Sequence, residues 1–156
     1  MKKLALNMEY AKRHLFVVVL MTALGGWFGY DGFVRYPATS AGDLYRFIEG
    51  AEPSAGVNLD AFKKQKTQTQ YGFTFLCFAV AAIVGLRLWK AKKFSFEYDD
   101  NSFVFNGRKC SWDDVKEIDR KKWEKKSIAV LKLKDGTSIV LDGWHHRGVL
   151  ELLVSK

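Results

Sequence analysis

The chain has 156 residues, a near-neutral mean hydropathy and a formal net charge of +8. With two cysteines, Cys77 and Cys110, the composition excludes a disulfide-stapled secreted domain and a cysteine-based metal site. The average hydropathy hides a sharp division: two apolar runs are diluted by a charged C-terminal third.

The first element is a basic leader, residues 1–13, with Lys2, Lys3, Lys12 and Arg13. It precedes the apolar run Leu15–Tyr30 (LFVVVLMTALGGWFGY), which reads as a first transmembrane helix over 14–34. Asp31 then falls near the far interface, where water is expected to reach it. A cleavable signal peptide is the competing reading. No small-x-small site follows the run; Trp27, Phe28 and Tyr30 suit an interfacial aromatic belt better.

Residues 35–70 form an extracytoplasmic connecting segment with both prolines, Pro37 and Pro53. Ser40 is placed to cap a short helix with Leu44, Phe47 and Ile48 on one face. Asn58 is placed to cap a second helix that runs through a solvated stalk, KKQKTQTQ, into the next apolar run. That run, Tyr71–Trp89, reads as a second transmembrane helix over 71–89. Arg87, near its end, has a side chain long enough to reach the headgroups. Arg87, Lys90, Lys92 and Lys93 follow the second run as Lys and Arg precede the first. The positive-inside rule therefore puts both termini in the cytoplasm, with the protein in the inner membrane; Lys63, Lys64 and Lys66 weaken that bias.

Both runs carry small residues four apart: Gly25 and Gly29 in the first, Cys77, Ala81 and Gly85 in the second. Such ridges allow close helix approach. In an antiparallel pair the two ridges fall at different depths. Either Phe75 and Phe78 fill them, or each meets another protomer or a membrane partner. The plain alternative is the ordinary small-residue content of membrane helices.

From Phe94 the pattern turns to alternation: Phe94, Phe96 and Tyr98, then Phe103 and Phe105. Asn106-Gly107 is a hairpin signal, and Asp135-Gly136 joins the strands Ile128–Leu133 and Thr137–Leu141. Val115 and Ile118 point inward, and Val149, Leu152 and Leu153 form one stripe of a final helix. The fold class is a membrane α-hairpin of two transmembrane helices. It is followed over 94–156 by a small α+β cytoplasmic domain, an antiparallel sheet capped by a C-terminal helix. A unit of that size has a thin core.

The hairpin FSFEYDDNSFVFNG, the segment SWDDVKEID, the hairpin IAVLKLKDGTSIVLDGW and the helix GVLELLVSK resemble bacterial pleckstrin-homology-like (PH-like) domains that follow paired membrane helices. The likeness covers 94–156 and rests on pattern; the strands visible there are fewer than the usual seven. The two-span arrangement with YDGFVRYP after the first span is similar to uncharacterised membrane proteins of planctomycete and verrucomicrobial type, and implies no activity.

The candidate site is the basic stretch Arg120, Lys121, Lys122, Trp123, Lys125 and Lys126, at a strand end. Near an anionic leaflet each cation contributes about 1 kcal/mol, and Trp123 is expected at headgroup level. The alternative is a solvated edge guarded by lysines. Trp112 and Trp144 read as core residues, and His145-His146 as neighbours at a helix start, poorly spaced for a metal. No cofactor, small-molecule substrate or nucleic-acid partner is implied, and no motif of catalysis is present. The expected partners are membrane lipids, a further copy of the chain or a membrane protein. The expected role is a non-enzymatic interaction or scaffold module. A sensor of anionic lipid surfaces is the alternative, and an accessory subunit of a larger membrane complex or transporter the third reading.

Overall fold

A computed structural model describes residues 1–156, which divide into two compact units. One consists of Met1–Leu15 with Leu86–Lys156, the other of Phe16–Gly85.

The unit Phe16–Gly85 is a pair of long helices with a folded connection. Helix α1 spans Met8–Tyr30, continues as a π-helical turn over Asp31–Arg35, and ends in the single turn α2, Tyr36–Ala38. Helix α3 spans Ala41–Glu49, and α4 runs unbroken over Leu59–Lys93. Ser40 Oγ accepts the Asp43 N–H, and Gly50, at φ 69°, closes the other end of α3 in the left-handed conformation that glycine adopts freely. Asn58 Oδ1 accepts the Ala61 N–H at the start of α4.

The stretch Met8–Ala38 and helix α4 are long and apolar enough to cross a membrane, by length and composition. At 1.5 Å per residue α4 is about 50 Å long, against about 30 Å of hydrocarbon. Large apolar side chains on both helices face outward with nothing in the chain to cover them: Phe16, Val19 and Trp27 on α1, Phe75, Leu76 and Ile83 on α4.

Asp31 differs from the expectation of a water-exposed interfacial residue. It is 7% exposed, and its carboxylate lies 3.7 Å from the Arg35 guanidinium one turn on. The π-turn beside it packs tightly on α4, since a Cβ on Gly32 would lie 3.0 Å from Gln70 and Tyr71. The polar start of α4 is likewise no free stalk. Lys63 Nζ donates to the Pro37 and Thr39 carbonyls, at 2.9 and 2.7 Å, and Gln70 Nε2 donates to the buried Tyr36 hydroxyl. The two Lys63 bonds satisfy carbonyls at the end of α2.

The other unit is a sheet domain assembled from both ends of the chain. Strands β1 (Lys2–Lys3), β3 (Phe96–Tyr98), β4 (Ser102–Phe105) and β5 (Arg108–Ser111) form a four-stranded antiparallel sheet in that order. Strands β6 (Val115–Asp119), β7 (Ile128–Leu133) and β8 (Ser138–Asp142) form a three-stranded one. Strand β2 (Ala5–Leu6) pairs with β9 (His146–Arg147). A short helix α5 (Trp123–Lys126) precedes β7, and α6 (Val149–Ser155) ends the chain.

Two consequences depart from the sequence reading. Residues 1–13 are not merely a leader, because Lys2 pairs with Tyr98, Lys3 with Glu97, and Leu4 is part of the core. The domain therefore includes residues before α1 as well as residues after α4. His146 does lie near a helix start, three residues before α6, but in a strand paired with Leu6 rather than on a helix.

The core follows from the pleat. Along β7 the inward set is Ala129, Leu131 and Leu133, which meets Ile139 and Leu141 of β8, Phe96, Phe103, and the stripe Val149, Leu152 and Leu153 of α6. Val115 and Ile118 both pack inward although three apart, because a bulge shifts the register between Val115 and Glu117. Asn106 and Gly107, at φ 47° and 86°, form the tight turn between β4 and β5.

Candidate functional site

The six residues of the basic stretch do not act as one exposed cluster. Arg120 Nη2 donates to the Leu153 carbonyl over 2.7 Å, which satisfies an orphan carbonyl in the last turn of α6 and places a cation at its negative end. Trp123, expected at headgroup level, is half-buried. Its ring packs on Gly143 and against the hydrophobic core. Lys121, Lys122, Lys125 and Lys126 are exposed. Ser127, with a left-handed φ of 53°, ends α5 and turns the chain into β7.

Trp144 reverses the other tryptophan expectation. Read as core, it is 61% exposed, while Trp112 is half-buried with its indole N–H on the Asp99 carbonyl at 2.8 Å. Trp144 sits in the turn between β8 and β9, where Asp142 Oδ1 accepts the N–H of both Trp144 and His145.

The small residues of the two long helices are used within the chain. A Cβ on Gly25 would lie 3.2 Å from the Phe78 ring and 3.3 Å from the Cys77 Cβ. Gly29 faces Thr74, and Gly85 faces Val18. Cys77 and Ala81 are buried. The two ridges therefore meet at one point, Gly25 against Cys77, contrary to the expectation that their depths keep them apart, while Gly29 and Gly85 meet side chains of the opposite helix outside its ridge. Of the two phenylalanines considered for that task, Phe78 performs it and Phe75 points outward, 77% exposed.

A cluster that the sequence did not single out lies at the roots of the two helices, in the sheet domain. Asn7 donates its backbone N–H to the His145 carbonyl at 2.8 Å and its side-chain amide to the Trp144 carbonyl at 3.1 Å. Tyr10, on the first turn of α1, stacks on His145 with ring centroids 4.4 Å apart, and on His14 at 3.8 Å. At the end of α4, the Ala91 carbonyl lies 3.0 Å from His146 Nε2, so that nitrogen carries the proton. The turn Trp144–His146 is therefore tied to both helix roots. His146 is 4% exposed, and its Nδ1 has no partner; the Tyr10 hydroxyl is also buried without one.

Beside this turn a cavity of about 270 Å³ is lined by Arg87, Lys90, Phe94, Val140, Asp142 and His145, together with the buried Ala91 and His146. Arg87, Lys90, Ala91 and Phe94 recur at helical spacing on one face of the end of α4. Burial holds the His145 imidazole below its ordinary pKa. The Asp142 carboxylate, 3.4 Å away, pulls the other way, and His146, His14 and Arg87 add to the depression. No group of three or more His, Cys, Asp or Glu side chains is placed to hold a metal ion.

Comparison with protein-family models, with curated proteins and with solved structures returns no match.

Proposed function

We propose that this chain is a two-span protein of the cytoplasmic membrane that presents a small, PH-like, non-catalytic interaction domain at the inner leaflet. The observation that carries this reading is the pairing of β1 with β3 and of β2 with β9. Strands that precede α1 share a domain with strands that follow α4, so the two long helices are an insertion in a single fold. Any membrane they cross must then be crossed an even number of times, with both termini on one side. The uncovered apolar side chains of α1 and α4 supply surface that only a low-polarity surrounding satisfies. Lys2, Lys3, Lys12, Arg13, Lys92 and Lys93 argue that the shared side is the cytoplasm.

The PH-like reading is supported by the four-stranded sheet, the three-stranded sheet and the closing C-terminal helix α6. With β1 included, the two larger sheets hold seven strands, the number the visible pattern lacked. The interaction role is supported by surface: Trp144, Val140, Leu150 and Val154 are large, apolar and exposed on the domain.

Topology is tested by labelling spheroplasts with an impermeant maleimide. Ser54→Cys, in the connection, should react from outside, and Ser155→Cys only after lysis. Extraction of the chain by alkaline carbonate, or labelling of Ser155→Cys from outside, overturns the membrane assignment. Crosslinking and native gels of the solubilised chain test the interaction role. A strict monomer with no co-purifying partner overturns it.

A further inference from the structure

We propose that the cavity at the root of α4 is a seat for the phosphate of one anionic lipid headgroup, with Arg87 and Lys90 as the ligands and Trp144 as the interfacial anchor. The inference rests on the membrane reading above and adds a ligand class and named residues to it.

Four observations carry it. Arg87 and Lys90 line a cavity of about 270 Å³, and neither is engaged in a salt bridge. The one carboxylate in the lining, Asp142, accepts the backbone N–H groups of Trp144 and His145 and lies 3.4 Å from the His145 ring. It remains an anion in the lining, but neither Arg87 nor Lys90 is spent on it, so both cations stay available to an incoming group. Second, the remaining lining is apolar, from Phe94 and the half-exposed Val140, which suits glycerol and the first methylenes of an acyl chain better than a free ion. Third, the cavity is lined by the last turns of α4, a helix long and apolar enough to span, and on the membrane reading the end of such a helix is where headgroups are met. Fourth, Trp144, between two lining residues in sequence, is 61% exposed, and an indole with an apolar body and one N–H donor belongs at such an interface.

The basic turn of α5 is a separate surface. Its four free lysines offer diffuse attraction to an anionic leaflet. The cavity offers two cations in a concave, partly apolar setting, and so a count of one lipid.

The test is native mass spectrometry of the purified full chain in neutral detergent, titrated with phosphatidylglycerol or phosphatidylcholine. One phosphatidylglycerol should be retained in clear preference to phosphatidylcholine. Arg87→Gln with Lys90→Gln should weaken that binding about twenty-five-fold, two contacts of about fivefold each. Arg87→Lys with Lys90→Arg, which keeps both charges, should retain it. Gln at Lys121, Lys122, Lys125 and Lys126 together should leave it unchanged, and inorganic phosphate at millimolar concentration should not displace the lipid. Equal retention of the two lipids, loss in the charge-preserving variant, dependence on the four lysines, or displacement by inorganic phosphate each overturns the proposal. A chain that alkaline carbonate extracts fails the membrane reading itself. A chain that stays integral but shows no preference fails only the lipid seat.

Discussion

Leu4 donates its backbone N–H to the Phe96 carbonyl over 2.9 Å, and both side chains are sealed in one core, Leu4 at 2% exposure and Phe96 at none. A single residue before the first long helix is thereby a structural member of a domain that resumes after the second. Leu4→Ala should cost about 2–5 kcal/mol, the range for a leucine lost from a packed core. A fragment of residues 94–156 alone should fail to give a dispersed amide spectrum. The same fragment with residues 1–7 joined to its start by a Gly/Ser linker should give one. Thermal unfolding and NMR of the two fragments decide the matter; a well-folded 94–156 fragment refutes the role given to the N-terminal strands.

The reason these strands escape a reading of the sequence is physical. Lys2–Lys3 and Ala5–Leu6 are two residues each, too short for alternation to show, and the two lysines suggest a topological signal rather than a strand. Their pairing energy comes from partners about 95 residues away for β1 and about 140 for β2, which no local window contains. The hairpin at Asn106-Gly107, the strand β7 and the stripe on α6 were all legible, because turn chemistry and periodicity are local properties.

The close approach of the π-turn to α4 gives a graded test within the helical pair. Gly32→Ala places a Cβ 3.0 Å from Gln70 and Tyr71, which forces the helices apart and should cost about 1–3 kcal/mol. Gly26→Ala meets nothing within 4 Å and should be neutral or up to about 1 kcal/mol favourable through helix propensity. Unfolding of the two variants in the same detergent checks the order. A Gly32→Ala protein as stable as Gly26→Ala would mean that the contact is loose.

The candidate site was legible in composition but not in placement. Lysines at 121, 122, 125 and 126 are as exposed as a charged turn should be. Nothing local in the sequence separates Trp123 from Trp144, since neither has an apolar side chain next to it. What separates them is the neighbour: Gly143 gives the Trp123 ring a flat place against the core, and Asp142 turns the chain so that Trp144 faces out. The root cavity was invisible for the same reason as β2, since His145 and His146 come to Tyr10 and Ala91 only through tertiary pairing.

Stability should fall in mild acid because of His145. Its folded pKa lies below the ordinary 6.5, chiefly through burial, with Asp142 opposing and His146, His14 and Arg87 assisting; Tyr10 covers its ring. A depressed folded pKa means that the unfolded chain takes the proton first. The contribution is whole above about pH 6.5 and is lost as pH drops from there through the folded value. His145→Gln should flatten the decline in melting temperature between about pH 7 and 5. An unchanged slope would assign the effect to other groups.

A last contrast separates the two tryptophans. Trp123→Ala removes a large ring from its place beside Gly143 and the core and should destabilise the domain by about 2–4 kcal/mol, toward the low end because the ring is only half-buried. Trp144→Ala removes an exposed ring whose backbone hydrogen bonds stay in place, and should change stability by less than about 0.5 kcal/mol. Binding should respond in the opposite sense. Quenching of total tryptophan fluorescence by brominated lipids should drop in Trp144→Phe and persist in Trp123→Phe. If Trp123→Phe is the variant that loses quenching, the half-buried ring is the one that meets lipid, and the surface assigned to the β8–β9 turn belongs to α5 instead.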